Sequence, residues 1–188
     1  MRLLLLKGDA LMGMAWSDDL KTSMGIFNKL IKPVLPDLIP GECTQIEGSP
    51  EEIAKMLDQH IGIDAMIDKG DIVYGLGSRI QIDSGVWNTF TIRCERESGH
   101  ITELEKLRKA IAMDAMRPHF TMQAYVIRGE LKSIAVAKTK DVIQYIDTHP
   151  EECPRRHSYD GEKWAKFIVV YWDKLKAAGY TVKTKKFL

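Results

Sequence analysis

Asp64 stands just ahead of two strand-like runs that each gather polar residues on one face, and that combination of side chains can do chemistry. Along a pleated strand alternate side chains share a face, so the run 71–83 points Ile72, Tyr74, Leu76, Ile80 and Ile82 one way and Arg79, Gln81 and Asp83 the other. The second run, Trp87 to Glu95, sets Thr89, Thr91, Arg93 and Glu95 against Phe90, Ile92 and Cys94. An acid placed before such a hairpin offers oxygen ligands to a hard divalent cation, and a guanidinium beside it offers a fork for phosphate oxygens. The chemistry this set could support is metal-assisted cleavage of a phosphodiester.

The elements that must position these residues can be read from caps and periodicity. Ser17 and the acids Asp18 and Asp19 open a helix to Lys32 whose stripe is Leu20, Met24, Phe27 and Ile31. Pro33, Pro36 and Pro40 then forbid regular structure, so 33–42 reads as a stiff connector and 1–45 as a separable N-terminal arm. Ser49-Pro50-Glu51-Glu52 starts a second helix that Gly62 stops, and strands follow at 63–68, 71–83 and 86–96. Thr102 and Glu105 form a capping box for a helix with Leu104, Leu107, Ile111 and Ala115 on one side, ended by Pro118. Strands at 119–127 and 131–138 join through Arg128-Gly129-Glu130, and a short helix covers 139–147. A polar loop leads to a long last helix, 160–178, with Trp164, Phe167, Ile168, Tyr171 and Leu175 inward and Gly179 at its end, before a short strand at 180–184. Gly75 and Gly77 suit a strand bulge or a close backbone approach. This order predicts an α/β (α+β) domain with a mixed central sheet flanked by helices, 46–188 following the arm.

Composition narrows the setting. The chain has 188 residues, 45% hydrophobic and 28% charged, which is ample for a real core. A net charge of +1 means that any polyanion must be held by a local basic surface. The three cysteines lie far apart and make no disulfide framework, which points to a reducing compartment, and the apolar run Leu3–Leu6 is shorter than a signal segment. No stretch approaches the ~20 apolar residues of a membrane span. The expectation is a cytoplasmic protein with no membrane partner, with a homodimer left open.

From Ser49 to Ile127 the order helix, three strands, helix, strand, with Gly62-Ile63-Asp64 leading into the strands, resembles the PD-(D/E)XK, or restriction-endonuclease-like, nuclease superfamily. The run GLGSRIQID, then WNTFTIR and TELEKLRKAI, also looks like small phage-encoded proteins of that kind. The resemblance implies an αβββαβ core and a nuclease acting on DNA with Mg²⁺ or Mn²⁺ held by Asp64, Gln81 and Asp83. Catalytic positions carried over are Asp64, Gln81, Arg79, Glu103 and Lys106, with Glu95 as a further carboxylate and Glu51 or Glu52 as the acid on the first helix. Ile63 stands where the motif has proline, and Arg79 precedes Gln81 where the motif has a lysine after the acid. Arginine stays charged at any working pH, so Arg79 suits a phosphate clamp and not a general base. Nucleic acid would meet Arg79, Arg93, Arg155 and Arg156, with His157 and the lysines at 183, 185 and 186 extending the path. Each residue also has a plainer role: Asp64 capping a turn, Arg79 and Gln81 as cross-strand partners on a solvated face, Glu103 complementing a helix dipole. A non-catalytic module binding nucleic acid or protein on the same scaffold is the alternative.

Overall fold

The computed structural model describes residues 2–4, 22–49, 51–160 and 163–187. Its main sheet has seven strands: β1 (Arg2–Leu4), β2 (Glu42–Gln45), β3 (Ala65–Asp68), β4 (Val73–Ile82), β6 (Phe120–Ile127), β7 (Glu130–Lys138) and β10 (Val182–Lys186). The order across it is β10-β7-β6-β4-β3-β2, with β1 parallel to the far half of β4, beyond the end of β3. The pair β4–β6 is parallel and the pairs β2–β3, β3–β4, β6–β7 and β7–β10 are antiparallel, so the sheet is mixed as expected. Arg128 and Gly129 both take positive φ, which closes the β6–β7 hairpin with the twist its strands need.

The third strand of the expected run does not stay in this sheet. β5 (Thr89–Arg96) pairs with β9 (Lys163–Tyr171), which pairs with β8 (Arg155–Asp160), in a second, antiparallel sheet. The long helix expected over 160–178 is therefore corrected: most of it is β9, and only α6 (Trp172–Ala177) is helical. Trp164, Phe167, Ile168 and Tyr171 repeat at helical spacing, but β-branched Ile168, Val169 and Val170 are buried on both faces of a strand. The hairpin expected from 71–95 is corrected too, since β4 and β5 lie in different sheets.

Two larger cores and a smaller one hold the layers. Phe27 and Ile31 of α1 (22–31) and Leu35 and Leu38 of α2 (Leu35–Leu38) pack on Leu76, Ile80 and Met122. Residues 27–45, expected in a separable arm, thus share the core of the main sheet; Ser17–Lys21 lie outside the described residues. The proline-rich connector holds a helical turn because Pro36 sits in its first turn, where a missing N–H costs nothing. On the other face, Tyr125, Ala135 and Ala137 pack with Phe90, Ile92 and Val170 of the second sheet, and with α4 (Glu103–Ala112), α5 (Thr139–Thr148) and α6. The small third core lies under α3 (Glu52–Met56), which continues to Ile61 as a widened π-helical turn. Among the described residues no helix is long and apolar enough to cross a membrane.

Candidate functional site

Three acids from three elements meet beside the end of α3. The helix stops at Gly62, whose left-handed φ of 80° turns the chain back so that Asp64, entering β3, lies against the last turn and Asp58. Glu47 follows β2, and the backbone N–H groups of Ile46 and Glu47 both donate to the Asp64 carbonyl at 3.0 Å. Carboxylate oxygens of Glu47, Asp58 and Asp64 lie within 4.8 Å of one another, and this trio could hold a metal ion. Glu47 is only 4% exposed. Burial pushes its carboxyl up to about 8, the charges of Asp64 and Asp58 adding to it and a positive charge partly opposing it.

Asp64 also has a structural duty. Ser78 falls between the last residue pair of β3 with β4, Ala65↔Leu76, and the first of β1, Arg2↔Arg79. Its N–H therefore meets no strand carbonyl there, and it donates to Asp64 Oδ2 at 2.5 Å.

Asp58 and Asp64 open onto a cleft of about 720 Å³, including its open mouth, whose floor is the face of β4 and β6 carrying Gly77, Arg79, Thr121 and Gln123. Gly77 keeps this floor low: a Cβ there would lie 3.2 Å from the Gly62 carbonyl oxygen, and one at Gly75 would lie 2.7 Å from Ile63, so both glycines serve close approach. Arg96 of β5 and Glu103 and Lys106 of α4 form the opposite wall. Thr102 caps α4 as expected: its Oγ1 accepts from the Glu105 N–H at 3.3 Å, and its own N–H donates to the Glu105 carboxylate at 2.7 Å. The Thr102 N–H and, at 2.8 Å, its hydroxyl hold the exposed Glu105 carboxyl below its usual range.

Arg79 is 5% exposed, not solvated, and its guanidinium is held from three sides. It donates to Glu103 at 2.6 Å and to the Thr91 carbonyl at 2.6 Å, and it stacks on the Phe167 ring 5.0 Å from the centroid. Thr91 is held by Gln123, whose Oε1 accepts from the Thr91 N–H at 3.1 Å and from its hydroxyl at 3.0 Å. The expected polar faces of the two runs thus meet across the layers and not side by side in one sheet.

The cleft brings together Asp64, Arg79, Glu103 and Lys106 of the expected set. Gln81 shares the Arg79 face of β4 but is buried between the layers away from the cleft, and its Oε1 has no hydrogen-bond partner among the described residues. Asp83 is exposed with φ 48° and accepts the Arg128 N–H at 2.7 Å, which ties β4 to the hairpin turn. Glu95 is paired with Lys166 at 2.7 Å, and Glu51 and Glu52 are exposed at the start of α3. Neither Gln81 nor Asp83 joins Asp64 in the carboxylate trio. Glu47 and Asp58 escaped the sequence analysis; the signal for Asp58 was its place one turn before a helix-ending glycine that reverses the chain toward Asp64. His119, just before β6, accepts the Gly75 N–H on Nδ1 at 3.0 Å, and partial burial, with the charge of Arg117, holds its pKa down. The lysines at 183, 185 and 186 lie on β10 at the far edge of the sheet, where Lys185 pairs with Asp37 at 2.6 Å.

No protein-family model, curated protein or solved structure matches the chain.

Proposed function

We propose that the protein is a divalent-cation-dependent phosphodiesterase acting on DNA, with a restriction-endonuclease-like core, in which Glu47, Asp58 and Asp64 hold Mg²⁺ or Mn²⁺. The observation that carries this is the crowding of three carboxylates within 4.8 Å, two of them opening onto a cleft that also presents Arg79, Arg96 and Lys106. A donor set made only of carboxylate oxygens fits a hard cation and not a thiolate- or imidazole-seeking one. The three acids come from three elements and include the 4%-exposed Glu47, so an ion there would be held away from bulk water. When bound, such an ion supplies a water of lowered pKa and neutralises phosphate charge.

The chain's own residues do the rest. Arg79 stays protonated at any working pH, so it stabilises negative charge on the phosphate and moves no proton. Glu103 orients that guanidinium and also accepts the Arg93 N–H at 3.2 Å, which leaves it a positioning group. Lys106, one turn along α4, brings a second cation to the same wall.

One observation favours a non-catalytic DNA-binding role instead. Asp64 is engaged by the Ser78 N–H and Glu47 keeps a proton near neutral pH, so the trio can persist with a proton in place of a cation. Mn²⁺ titration calorimetry and cleavage of single- and double-stranded DNA separate the two, with wild type measured beside Asp58→Asn and Asp64→Asn. The proposal expects cation binding and cleavage in wild type and the loss of both in variants that keep their circular dichroism. Cation binding without cleavage would favour the binding role, and equal Mn²⁺ affinity in all three proteins would remove the metal centre.

A further inference from the structure

On the floor of the cleft a side-chain amide is fixed at its oxygen and unpartnered at its nitrogen. Gln123 is 1% exposed and lies in register with Arg79 across the parallel β4–β6 pair, so the two side chains share a face. Thr121 stands on that face as well and lines the cleft with them, but its hydroxyl is already bonded to that of Thr139 at 2.9 Å. Gly77, in register with Thr121, adds no side chain above the floor.

Thr91 settles which way the Gln123 amide points. Its backbone N–H can only donate, so the amide atom 3.1 Å away is the oxygen. The Thr91 hydroxyl accepts from Arg79 at 3.2 Å and donates to the same amide oxygen at 3.0 Å. Thr91 thereby orients both groups, Arg79 through its carbonyl and hydroxyl oxygens and Gln123 through its two donors. The Gln123 nitrogen carries two N–H groups, and neither meets an acceptor among the described residues. A buried donor without a partner is costly, and this nitrogen is closed to bulk water. Its acceptor therefore comes from a group pressed onto the cleft floor.

We propose that Gln123 is a substrate-binding residue whose Nε2 donates to a non-bridging oxygen of the phosphodiester facing Arg79. The inference rests on the cleft taking DNA. Neighbouring strands lie about 4.8 Å apart, so an anion set between the two side chains is within reach of both. The guanidinium supplies charge and the amide supplies a neutral, directed donor beside it. Because Thr91 holds the amide in place beforehand, Gln123 does not reorganise as negative charge builds on that oxygen, and its bond strengthens in the transition state.

Nuclear magnetic resonance of the Gln123 side-chain amide tests this in an Asp64→Asn background, where DNA stays intact. Single-stranded oligothymidylate should shift the Gln123 amide protons downfield. Thymidine, with the same base and sugar but no phosphate, should leave them in place. Cleavage kinetics with Mn²⁺ give a second reading. Gln123→Glu keeps an oxygen for Thr91 and loses the donor, so kcat should fall about 100-fold while KM changes far less. Equal shifts with thymidine would mean that the amide reads a base, and would overturn the assignment. Oligothymidylate shifts elsewhere in the cleft with the Gln123 protons unmoved, or an unchanged kcat in Gln123→Glu, would also overturn it and leave the cleft proposal standing. No response of any resonance to oligothymidylate would overturn both.

Discussion

The two ends of the cleft treat buried charge in opposite ways. At the Arg79 end a guanidinium meets a carboxylate at 2.6 Å, a threonine carbonyl at 2.6 Å and an aromatic ring, and the neighbouring Thr91 and Gln123 bind each other. At the Glu47 end three carboxylates gather within 4.8 Å, and burial first of all raises the Glu47 carboxyl to about 8. A matched cluster is what a scaffold needs to fix geometry. A cluster of like charges is one that a proton or a cation relieves. The contrast assigns positioning to the first end and, on the function proposed above, cation binding to the second.

The largest effect should come from unbalancing the matched end. Arg79→Met leaves Glu103, only 29% exposed at its side chain, without its guanidinium partner. Removing one partner of a buried pair costs about 3–5 kcal/mol, and the partial exposure of Glu103 places this case near 3. Urea unfolding should show that loss, and the double variant Arg79→Met, Glu103→Met should recover part of it. If Arg79→Met costs no more than an ordinary surface substitution, the matched end is not a scaffold and the comparison collapses.

At the carboxylate end the signature is pH dependence. The Glu47 carboxyl titrates at about 8 when folded, against 4.5 as its ordinary value. Folding therefore takes up a proton between those values, and the associated stability is fully present below about pH 4.5 and lost as pH rises through 8. Without divalent cations, wild type should lose on the order of 4 kcal/mol between about pH 5 and about pH 9 relative to Glu47→Gln. Adding Mn²⁺ near pH 8 should raise the melting temperature of wild type and leave that of Glu47→Gln almost unmoved. Parallel pH profiles for the two proteins would show that another group answers the crowding.

How far the sequence revealed this contrast depended on whether the cause was local. The alternation that separates Leu76 and Ile80 from Arg79 and Gln81 is a property of one strand, and the structure keeps it. Thr102 and Glu105, Gly75 and Gly77, and the turn at Arg128-Gly129 were legible for the same reason: each acts within a few residues or through the space a missing Cβ leaves. The second sheet was not legible, because what makes 163–171 a strand is burial between neighbours far away in the chain, and its aromatic spacing suits a helix as well. That error hid the burial of Arg79, whose ring and carbonyl partners come from β9 and β5. Glu47 and Asp58 were hidden because no spacing rule joins a turn after β2 to the last turn of α3; only the reversal at Gly62 does.

The smallest effect offers the finest test of the comparison. Thr102 fixes the first turn of α4, and Glu103 is the first residue inside that turn. Thr102→Ala removes the acceptor for the Glu105 N–H and should cost about 1 kcal/mol. If the cap matters for Arg79 by holding Glu103 in place, its loss must couple to the loss of Arg79. In a double-mutant cycle Thr102→Ala with Arg79→Met should then cost less than the two single changes added, by about 0.5 kcal/mol or more. Combined with Glu47→Gln, whose partners lie on other elements, the same cap change should be additive to within about 0.5 kcal/mol. Coupling to Arg79 but not to Glu47 would mean that the two ends are energetically separate, so that a change at the carboxylate trio leaves the setting of Arg79 undisturbed.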